Sequence, residues 1–308
     1  MSKLFLACKN IDRQEAFTCE QGTANPRYSI FRGESVSLMQ QIPDRTINVI
    51  AADPPYFLSN GGTTFHGNKR IYVHKGDWDK SLGVKGNFKF NVKWLRECQR
   101  ILAPSGSIFV SGTRHNIFSV GSAMEYLGWH ILNDLIWAKP APPPNAGCRQ
   151  FTDAHEVILW AIPKLAKPLP HQFNYKQIRE ANLTPICPEC KKSGKPTYNF
   201  CPSCGANYLG NRSPKQAKTI IDWIDRPSLA EKWANDGKSY PAQKPVKLLR
   251  YLLEAVSQPG DLVLDPFMGS GATGVAAAKL DLEFLGLDLS PEAFAISSRR
   301  LAGWQGKE

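Results

Sequence analysis

The sequence contains no run of eighteen or more apolar residues, and residues 1–10 lack the apolar core and the small-residue cleavage site of a secretory signal. These absences argue against functions that need a membrane-spanning helix or export. The six histidines also show no ligand spacing to one another. We therefore expect a cytoplasmic protein with no membrane partner. Its apolar fraction of 42% is sufficient for a large core.

Acidic residues are scarce in one segment of the chain. Residues 161–218 carry ten Lys or Arg but only Glu180 and Glu189 as acids, a net charge of +8. The other 250 residues hold 28 basic and 25 acidic side chains, a net charge of +3. This segment therefore supplies most of the total of +11 and indicates a polyanionic partner. A merely solvated basic face is the alternative interpretation.

The eight cysteines are not spaced like a disulfide framework. Four form two close pairs, whereas Cys8, Cys19, Cys98 and Cys148 are scattered. Two Cys-x-x-Cys pairs separated by ten residues offer four thiolates, which is the ligand shell of a structural Zn²⁺. A redox pair is the alternative, but two matched pairs favour metal. The expected zinc ligands are Cys187, Cys190, Cys201 and Cys204.

Short apolar segments alternate with amphipathic segments along most of the chain. This alternation predicts an α/β fold with a largely parallel sheet. Residues 57–81 are rich in Gly, Asn and Lys and predict a long loop directly after a strand. The predicted strands are 28–32, 47–52, 107–111, 129–137, 155–161, 262–264 and 284–287, and the predicted helices are 35–41, 88–102, 116–127, 245–256, 275–280 and a last helix opened by Ser290-Pro291.

A glycine-rich turn follows the predicted strand at residues 262–264. Gly269 and Gly271 would let a ligand approach the backbone closely, and Asp288, after the next strand, can accept hydrogen bonds from two ribose hydroxyls. This layout indicates a nucleoside-type cofactor. The turn lacks the dinucleotide fingerprint and the Lys-Ser/Thr of a phosphate loop, which argues against NAD and ATP. A packing turn that binds no ligand is the alternative.

The tetrapeptide Asp53-Pro54-Pro55-Tyr56 stands at the end of another predicted strand. An exocyclic amine on a nucleobase is a poor nucleophile because its lone pair is delocalised into the ring. Asp53 and the carbonyl of Pro54 could accept its two N–H groups and favour a pyramidal nitrogen. Two prolines would keep this backbone rigid while Tyr56 stacks on the base. The alternative is a proline-capped strand end with an exposed aromatic residue.

The early Asp53 tetrapeptide, combined with the late run from Asp265 to Gly271, resembles the β-class amino-group (N6-adenine/N4-cytosine) DNA methyltransferases. In that family the catalytic half precedes the S-adenosylmethionine half. The resemblance implies a Rossmann-like S-adenosylmethionine-dependent methyltransferase fold with a circularly permuted motif order and, in this chain, a small zinc-ribbon insertion. Further similar stretches are 44–52, 137–140, 151–160 and 241–245, and those similar to its adenine-methylating subgroup are 57–62 and 75–79.

The resemblance also implies roles for two sets of residues. A catalytic set would hold a flipped adenine for direct in-line methyl transfer. A cofactor set would surround S-adenosylmethionine, with Gln243 and Lys244 beside its methionine part and Asp288 on its ribose. The catalytic set is Asp53, Pro54, Pro55 and Tyr56, and the cofactor set is Gln243, Lys244, Asp265, Pro266, Phe267, Gly269, Ser270, Gly271 and Asp288.

Four parts of the chain follow from this resemblance, which covers residues 29–162 and 240–303. The catalytic half comes before the target-recognition insertion, and the insertion coincides with the basic segment and the cysteine pairs. The four expected parts are an N-terminal extension (1–27), the catalytic half (28–162), the insertion (163–239, with the zinc ribbon at 187–204) and the S-adenosylmethionine-binding half (240–308).

The implied activity is site-specific methylation of adenine N6 in double-stranded DNA, for restriction-modification or epigenetic marking. The alternatives are methylation of cytosine N4, methylation of RNA, and a catalytically inactive DNA-binding module. Expected partners are duplex DNA and a cognate restriction endonuclease system, and the expected state is a monomer or homodimer. The expected location is the cytoplasm of a prokaryote or a phage host, in association with the nucleoid.

The cysteine spacing makes a testable prediction about metal content. We expect elemental analysis of the purified protein to find about one zinc per chain. Cys187→Ser should lose the metal because it removes one of the four thiolates, whereas Cys148→Ser, outside the two pairs, should retain it. A wild-type protein that is fully folded and free of metal would contradict the prediction.

Overall fold

The computed structural model describes residues 2–11, 16–19, 28–59, 63–66, 69–72, 79–139, 142, 149–163, 171–178, 189–190, 203–206, 217–222, 224–225 and 243–302. The chain forms two compact units, one made of residues 1–172 and 219–308 and the other of residues 173–218. The smaller unit lies within the segment predicted as an insertion. The larger unit contains the sheet and all the helices described below.

The strands and helices alternate in the order that the sequence predicts for an α/β fold. The strands are β1 (Ala16–Cys19), β2 (Tyr28–Arg32), β3 (Ile47–Ala52), β4 (Thr63–His66), β5 (Lys69–Tyr72), β6 (Leu102–Gly112), β7 (His130–Ala138), β8 (His155–Ile162), β9 (Ile220–Ile221), β10 (Leu262–Asp265) and β11 (Glu283–Asp288). The helices are α1 (Lys3–Cys8), α2 (Ser35–Met39), α3 (Gly83–Ile101), α4 (Ile117–Tyr126), α5 (Val246–Val256), α6 (Ala272–Ala278) and α7 (Pro291–Ala302).

Nine strands form one mixed sheet in the order β1-β2-β11-β10-β3-β6-β8-β7-β9. The five central strands from β2 to β6 are parallel, while β8 runs antiparallel to both β6 and β7. Strands β4 and β5 form a separate antiparallel pair. The parallel centre places the carboxyl ends of β3, β10 and β11 along one edge of the sheet, where ligands bind in open α/β sheets.

The core lies on both faces of this sheet. On one face, the helices α1, α2, α3 and α4 pack against every second residue of the strands, for example Leu264 and Leu285, in a single hydrophobic cluster. On the other face, a Cβ added at Gly274 of α6 would lie 2.8 Å from Phe284 of β11 and from Leu301 of α7. Gly274 is therefore required for close packing of α6 and α7 on the sheet.

Both ends of α3 differ from the sequence prediction. The helix begins at Gly83, five residues before the predicted start at residue 88. The prediction missed this first turn because the turn is exposed and shows no apolar periodicity. Residues 104–106, predicted to end the helix, lie inside β6. Ile47 pairs with Leu102 while Val49 pairs with Ser107, so the residues between them form a bulge in β6.

Two further features were not predicted. The segment expected to be an irregular loop after β3 contains the β4–β5 hairpin. Strand β9, which lies within the segment predicted as the insertion, joins the main sheet through the pairing of Ile136 with Ile220 and of Trp137 with Ile221. A two-residue strand is too short to show a periodic pattern in the sequence.

The predicted start of the last helix is confirmed. The Ser290 hydroxyl accepts a hydrogen bond of 3.2 Å from the Ala293 backbone N–H, and Pro291 is the first helical residue. Among the residues that the structure describes, no helix is long and apolar enough to cross a membrane.

Candidate active site

A cavity of about 370 Å³ opens at the carboxyl ends of the parallel strands. One end is formed by the loop after β3, and the other by the turns after β10 and β11. The residues that line it include Asp53, Pro54, Pro55, Tyr56, Phe57, Asp79, Gln243, Lys244, Asp265, Phe267, Met268, Gly269, Ser270, Thr273, Asp288 and Ser290. The topology therefore brings the predicted catalytic set and most of the predicted cofactor set to one cavity.

Asp265 organises the turn between β10 and α6. One carboxylate oxygen accepts a hydrogen bond of 3.0 Å from the Phe267 N–H, and the other accepts one of 2.6 Å from the Thr273 hydroxyl. Gly271 has a φ of +73°, a left-handed conformation that favours glycine. Burial raises the pKa of Asp265 to about 7. These contacts show that Asp265 stabilises the turn that forms this part of the cavity wall.

Asp288 stands where β11 ends. Its Oδ2 accepts a hydrogen bond of 2.9 Å from the Gly269 N–H, and its Oδ1 accepts one of 2.8 Å from the Ser290 N–H. Each carboxylate oxygen has two lone pairs, so the carboxylate as a whole keeps acceptor capacity for a ligand in the cavity. Burial raises the pKa of Asp288. The two backbone contacts hold the carboxylate at the cavity edge.

At the opposite end of the cavity, Asp53 lies in a network of charged groups. The Tyr56 hydroxyl donates to Asp53 Oδ1 at 2.6 Å, and Lys244 Nζ donates to Asp53 Oδ2 at 2.7 Å. Lys244 Nζ also lies 3.0 Å from the Tyr56 hydroxyl oxygen and 5.2 Å from the centre of the Tyr56 ring. Both Tyr56 and Lys244 are less than 10% exposed, at 7% and 6%.

Glu156 and Lys139 extend this network. Glu156 Oε2 lies 3.1 Å from Lys244 Nζ, and Glu156 Oε1 lies 2.5 Å from Lys139 Nζ. Burial alone would raise the pKa of Glu156, but the ammonium groups of Lys244 and Lys139 outweigh it and lower that pKa to about 2. Likewise, Asp53 and Glu156 overcome the effect of burial and raise the pKa of Lys244. The network therefore alternates the carboxylates of Asp53 and Glu156 with the amino groups of Lys244 and Lys139.

Asp79 fixes the backbone of the loop that carries Asp53. Its Oδ1 accepts a hydrogen bond of 3.0 Å from the Tyr56 N–H, and its Oδ2 accepts bonds from the Leu58 N–H at 3.2 Å and from the Ser59 hydroxyl at 2.9 Å. The Asp79 side chain is fully buried. The loop is thus held by a carboxylate as well as by its two prolines.

Most of the predicted site residues line the cavity, but three have positions that the sequence did not predict. The ammonium of Lys244, expected beside the methionine part of a cofactor, contacts Asp53. Pro266 and Gly271 shape the turn and are not among the described lining residues. The Pro266 carbonyl accepts a hydrogen bond of 2.5 Å from the Ser35 hydroxyl.

Sequence reasoning assigned no role in the site to Asp79, Lys139 or Glu156. Lys139 and Glu156 both belong to stretches that resemble the methyltransferase family, and this resemblance was the one feature of the sequence that could have indicated a role in the site. Nothing in the local pattern indicates that they pair with each other, since the contact depends on the register in which Ala138 of β7 pairs with His155 of β8.

The predicted zinc ligands fall partly outside the described residues. Cys187 and Cys201 are not described, whereas Cys190 and Cys204 each end a turn. Within the described part of the chain, no group of three or more His, Cys, Asp or Glu could hold a metal ion. A Cys₄ centre needs the two cysteines that are not described, so zinc binding stays a prediction.

Comparison with known proteins matches residues 47–299 to the family model of N6/N4-type methyltransferases, described as DNA methylase. The Type II methyltransferase M2.LlaDCHI of Lactococcus lactis subsp. cremoris is 38% identical over 272 residues, which are 88% of this chain and 88% of that protein. The Type II methyltransferase M2.DpnII of Streptococcus pneumoniae is 37% identical, with the same coverage of both chains.

Solved structures support the same fold. The cytosine-N4-specific PvuII DNA methyltransferase matches with a TM-score of 0.62 and 19% identity over 90% of this chain and 86% of the other. The complex of M1.HpyAVI with SAM matches with a TM-score of 0.55 and 21% identity, covering 89% of this chain and 98% of that one. At these identities the likeness shows the mixed α/β fold alone.

The contacts of Asp79 predict that it stabilises the structure. Asp79→Asn replaces one acceptor oxygen with an NH2 group, which cannot accept a hydrogen bond, so a buried donor loses its partner. We expect the free energy of unfolding to fall by about 2 kcal/mol. Asp281→Asn, at an exposed residue, is the matched control and should change it by less than about 0.5 kcal/mol. An Asp79 variant as stable as this control would contradict the assignment.

The raised pKa of Asp265 predicts a pH-dependent difference in stability. Its pKa is about 7 in the folded protein against a usual 3.8, so the folded state keeps a proton that the unfolded state releases, and this group's contribution to stability declines as pH rises between these values. Asp265→Asn removes the titration. The stability of the variant relative to wild type should therefore improve from about pH 5 to about pH 8 in urea unfolding. A flat or opposite trend would contradict the assignment.

Proposed function

Because the chain belongs to the N6/N4 family of DNA methylases, we propose that it transfers a methyl group from S-adenosylmethionine to the N6 amino group of adenine at specific sites in duplex DNA. The family match and the Type II relatives confirm the predicted DNA methyltransferase activity. The main observation that supports this site is that a single cavity is lined by Asp288 and the glycine turn as well as by Asp53 and Tyr56.

The cavity fits S-adenosylmethionine, which supplies an electrophilic methyl group on a sulfonium when bound. Gly269, with a φ of +50°, keeps the turn open to a nucleoside, and Asp288 retains acceptor capacity for its hydroxyls. Phe267 offers an aromatic face that is fixed from behind by an edge-on contact with Trp94, with ring centres 5.4 Å apart. Gln243 lines the same cavity.

The other end of the cavity fits the target amine. The Asp53 carboxylate and the Pro54 carbonyl are the acceptors proposed for its two N–H groups. Asp79 and the two prolines hold the backbone that carries them, so little reorganisation is needed when the base arrives. Tyr56 borders the same space and is the proposed stacking partner of the base. Orientation of the amine and of the methyl donor then supplies most of the catalysis.

The choice of adenine rests on Asp53. In the family that the sequence resembles, Asp at this position tends to accompany adenine and Ser tends to accompany cytosine. The fold likeness to a cytosine-N4-specific enzyme does not bear on the base, because at 19% identity it concerns the fold alone. Cytosine N4 remains the second candidate, since the same hydrogen-bonding pattern serves either amine.

We propose that the basic insertion recognises the DNA and is folded around one zinc ion. Cys190 and Cys204 each lie in a turn, and Gly205, directly after Cys204, has a φ of +75°. A left-handed glycine after the second cysteine suits a knuckle in which the backbone turns around the metal. The basic side chains proposed for phosphate contact are Lys191, Lys192, Lys195, Arg212, Lys215 and Lys218.

The named relatives are Type II methyltransferases, and we propose that this chain has the corresponding role in a restriction-modification system. Its partners are then duplex DNA and a cognate restriction endonuclease, whose cleavage of the DNA is prevented by the methylation.

Along the chain, Asp53 precedes Asp265, which accords with the permuted motif order proposed from the sequence.

The decisive experiment combines product identification with an Asp53 variant. Wild-type protein, unmethylated bacteriophage DNA and S-adenosylmethionine carrying a labelled methyl group are incubated, and the DNA is digested to nucleosides for mass spectrometry. We expect N6-methyldeoxyadenosine. Asp53→Ala should lower methyl transfer by at least about 100-fold, because it removes the carboxylate that accepts the amine N–H.

Asp44→Ala is the matched control, since Asp44 precedes β3, is exposed and pairs with Arg100 outside the cavity. It should keep wild-type activity. N4-methyldeoxycytidine in the digest would overturn the choice of adenine, and full activity of Asp53→Ala would overturn the catalytic assignment. Labelling of structured RNA in preference to duplex DNA would favour the RNA alternative.

A further inference from the structure

Both carboxylate oxygens of Asp53 already accept hydrogen bonds from the protein itself. The Tyr56 hydroxyl occupies Oδ1 at 2.6 Å, and the Lys244 ammonium occupies Oδ2 at 2.7 Å. On the proposed function, Asp53 is also the acceptor that must bind the target amine. The positively charged Lys244 ammonium therefore contacts the oxygen that the target amine would need.

This ammonium is unfavourable for the reaction if it stays in place. The amine nitrogen gains positive charge as it takes the methyl group, and a second positive charge within hydrogen-bond distance of the same carboxylate opposes that gain. It also weakens Asp53 as an acceptor for the amine N–H. Loss of the contact between Lys244 and Asp53 would remove both effects.

The structure provides a second position for the same ammonium. Glu156 Oε2 lies 3.1 Å from Lys244 Nζ and is part of a side chain that is nearly as buried. Lys139 holds the other oxygen of Glu156, which keeps this carboxylate aimed at Lys244. Since Lys244 is only 6% exposed, solvent offers little alternative, and Glu156 is the partner able to keep a buried charge satisfied.

We propose that Lys244 is a positioning residue with two alternative partners. It pairs with both Asp53 and Glu156 when no base is bound, and it passes wholly to Glu156 when the target amine takes its place on Asp53. Glu156 and Lys139 form the receiving pair. The arrangement keeps the Asp53 carboxylate neutralised and oriented between turnovers and withdraws the positive charge for methyl transfer. No bond other than hydrogen bonds changes in this exchange.

Four proteins test the proposal: wild type, Glu156→Gln, Lys244→Met and the double variant. Removing the charge of Glu156 leaves Lys244 bound to Asp53, so kcat on unmethylated bacteriophage DNA should fall by about 30-fold with little change in KM. Removing Lys244 as well releases Asp53. The kcat of the double variant should therefore be at least about 5-fold higher than that of Glu156→Gln alone. In this background the loss of Lys244 would raise kcat, whereas two independent structural roles would predict a further fall.

Two control variants distinguish the exchange of partners from a purely structural role of Glu156. Lys247→Met removes an exposed lysine three residues from Lys244 and should leave kcat unchanged. Glu156→Asp keeps the negative charge and should recover part of the activity lost in Glu156→Gln. If Glu156→Gln does not fold, as judged by circular dichroism, the same comparison with and without Lys244→Met is made in the background of Glu156→Asp.

The affinity for S-adenosylmethionine, measured by calorimetry, gives a readout independent of turnover. It should stay within about threefold of wild type in Glu156→Gln, because the exchange concerns the base. A double variant no faster than Glu156→Gln would overturn the proposal, as would a Lys244→Met variant whose main defect is a much weaker affinity for S-adenosylmethionine. A wild-type protein without methyl transfer to any DNA would instead overturn the proposed function.

Discussion

The site depends on the parallel pairing of β3 with β10 at the centre of the sheet. Val263 pairs with Val49 and Leu264 with Ile50, so the two strands end side by side and place Asp53 and Asp265 at the same edge. The next strand, β11, adds Asp288 at its own carboxyl end. Three carboxylates at the ends of three strands thus line one cavity, and the loops that follow the strands form the rest of its wall.

Each carboxylate has a different environment and therefore a different task. Asp265 accepts from a hydroxyl and a backbone N–H, both uncharged donors, which suits a group that holds a turn together. Asp288 accepts hydrogen bonds from backbone N–H groups and lines the cavity. Asp53 differs from both because it has an ammonium partner, supplied by Lys244. The alternation of Lys139, Glu156, Lys244 and Asp53 keeps the buried charges balanced.

The sequence predicted the parts of the site that are local in the chain. Asp53-Pro54-Pro55-Tyr56 and the Gly269 to Gly271 turn are short motifs at strand ends, so most of their residues reach the cavity together. It did not predict contacts that depend on tertiary register, such as Lys139 with Glu156 or Asp79 with the Tyr56 backbone. The bulge at residues 103–106 was missed for the same reason, because Pro104 and Gly106 are typical of helix ends as well as of bulges.

Lys244 and Asp53 are 191 residues apart in the chain. Asp288, the last residue of β11, also comes late in the chain. During synthesis on a ribosome, the Asp53 loop is complete long before Lys244 and Asp288 exist. The proposed site is therefore incomplete in the nascent chain until β11 has emerged and the central strands have paired, and no fragment that ends before β11 contains all three carboxylates.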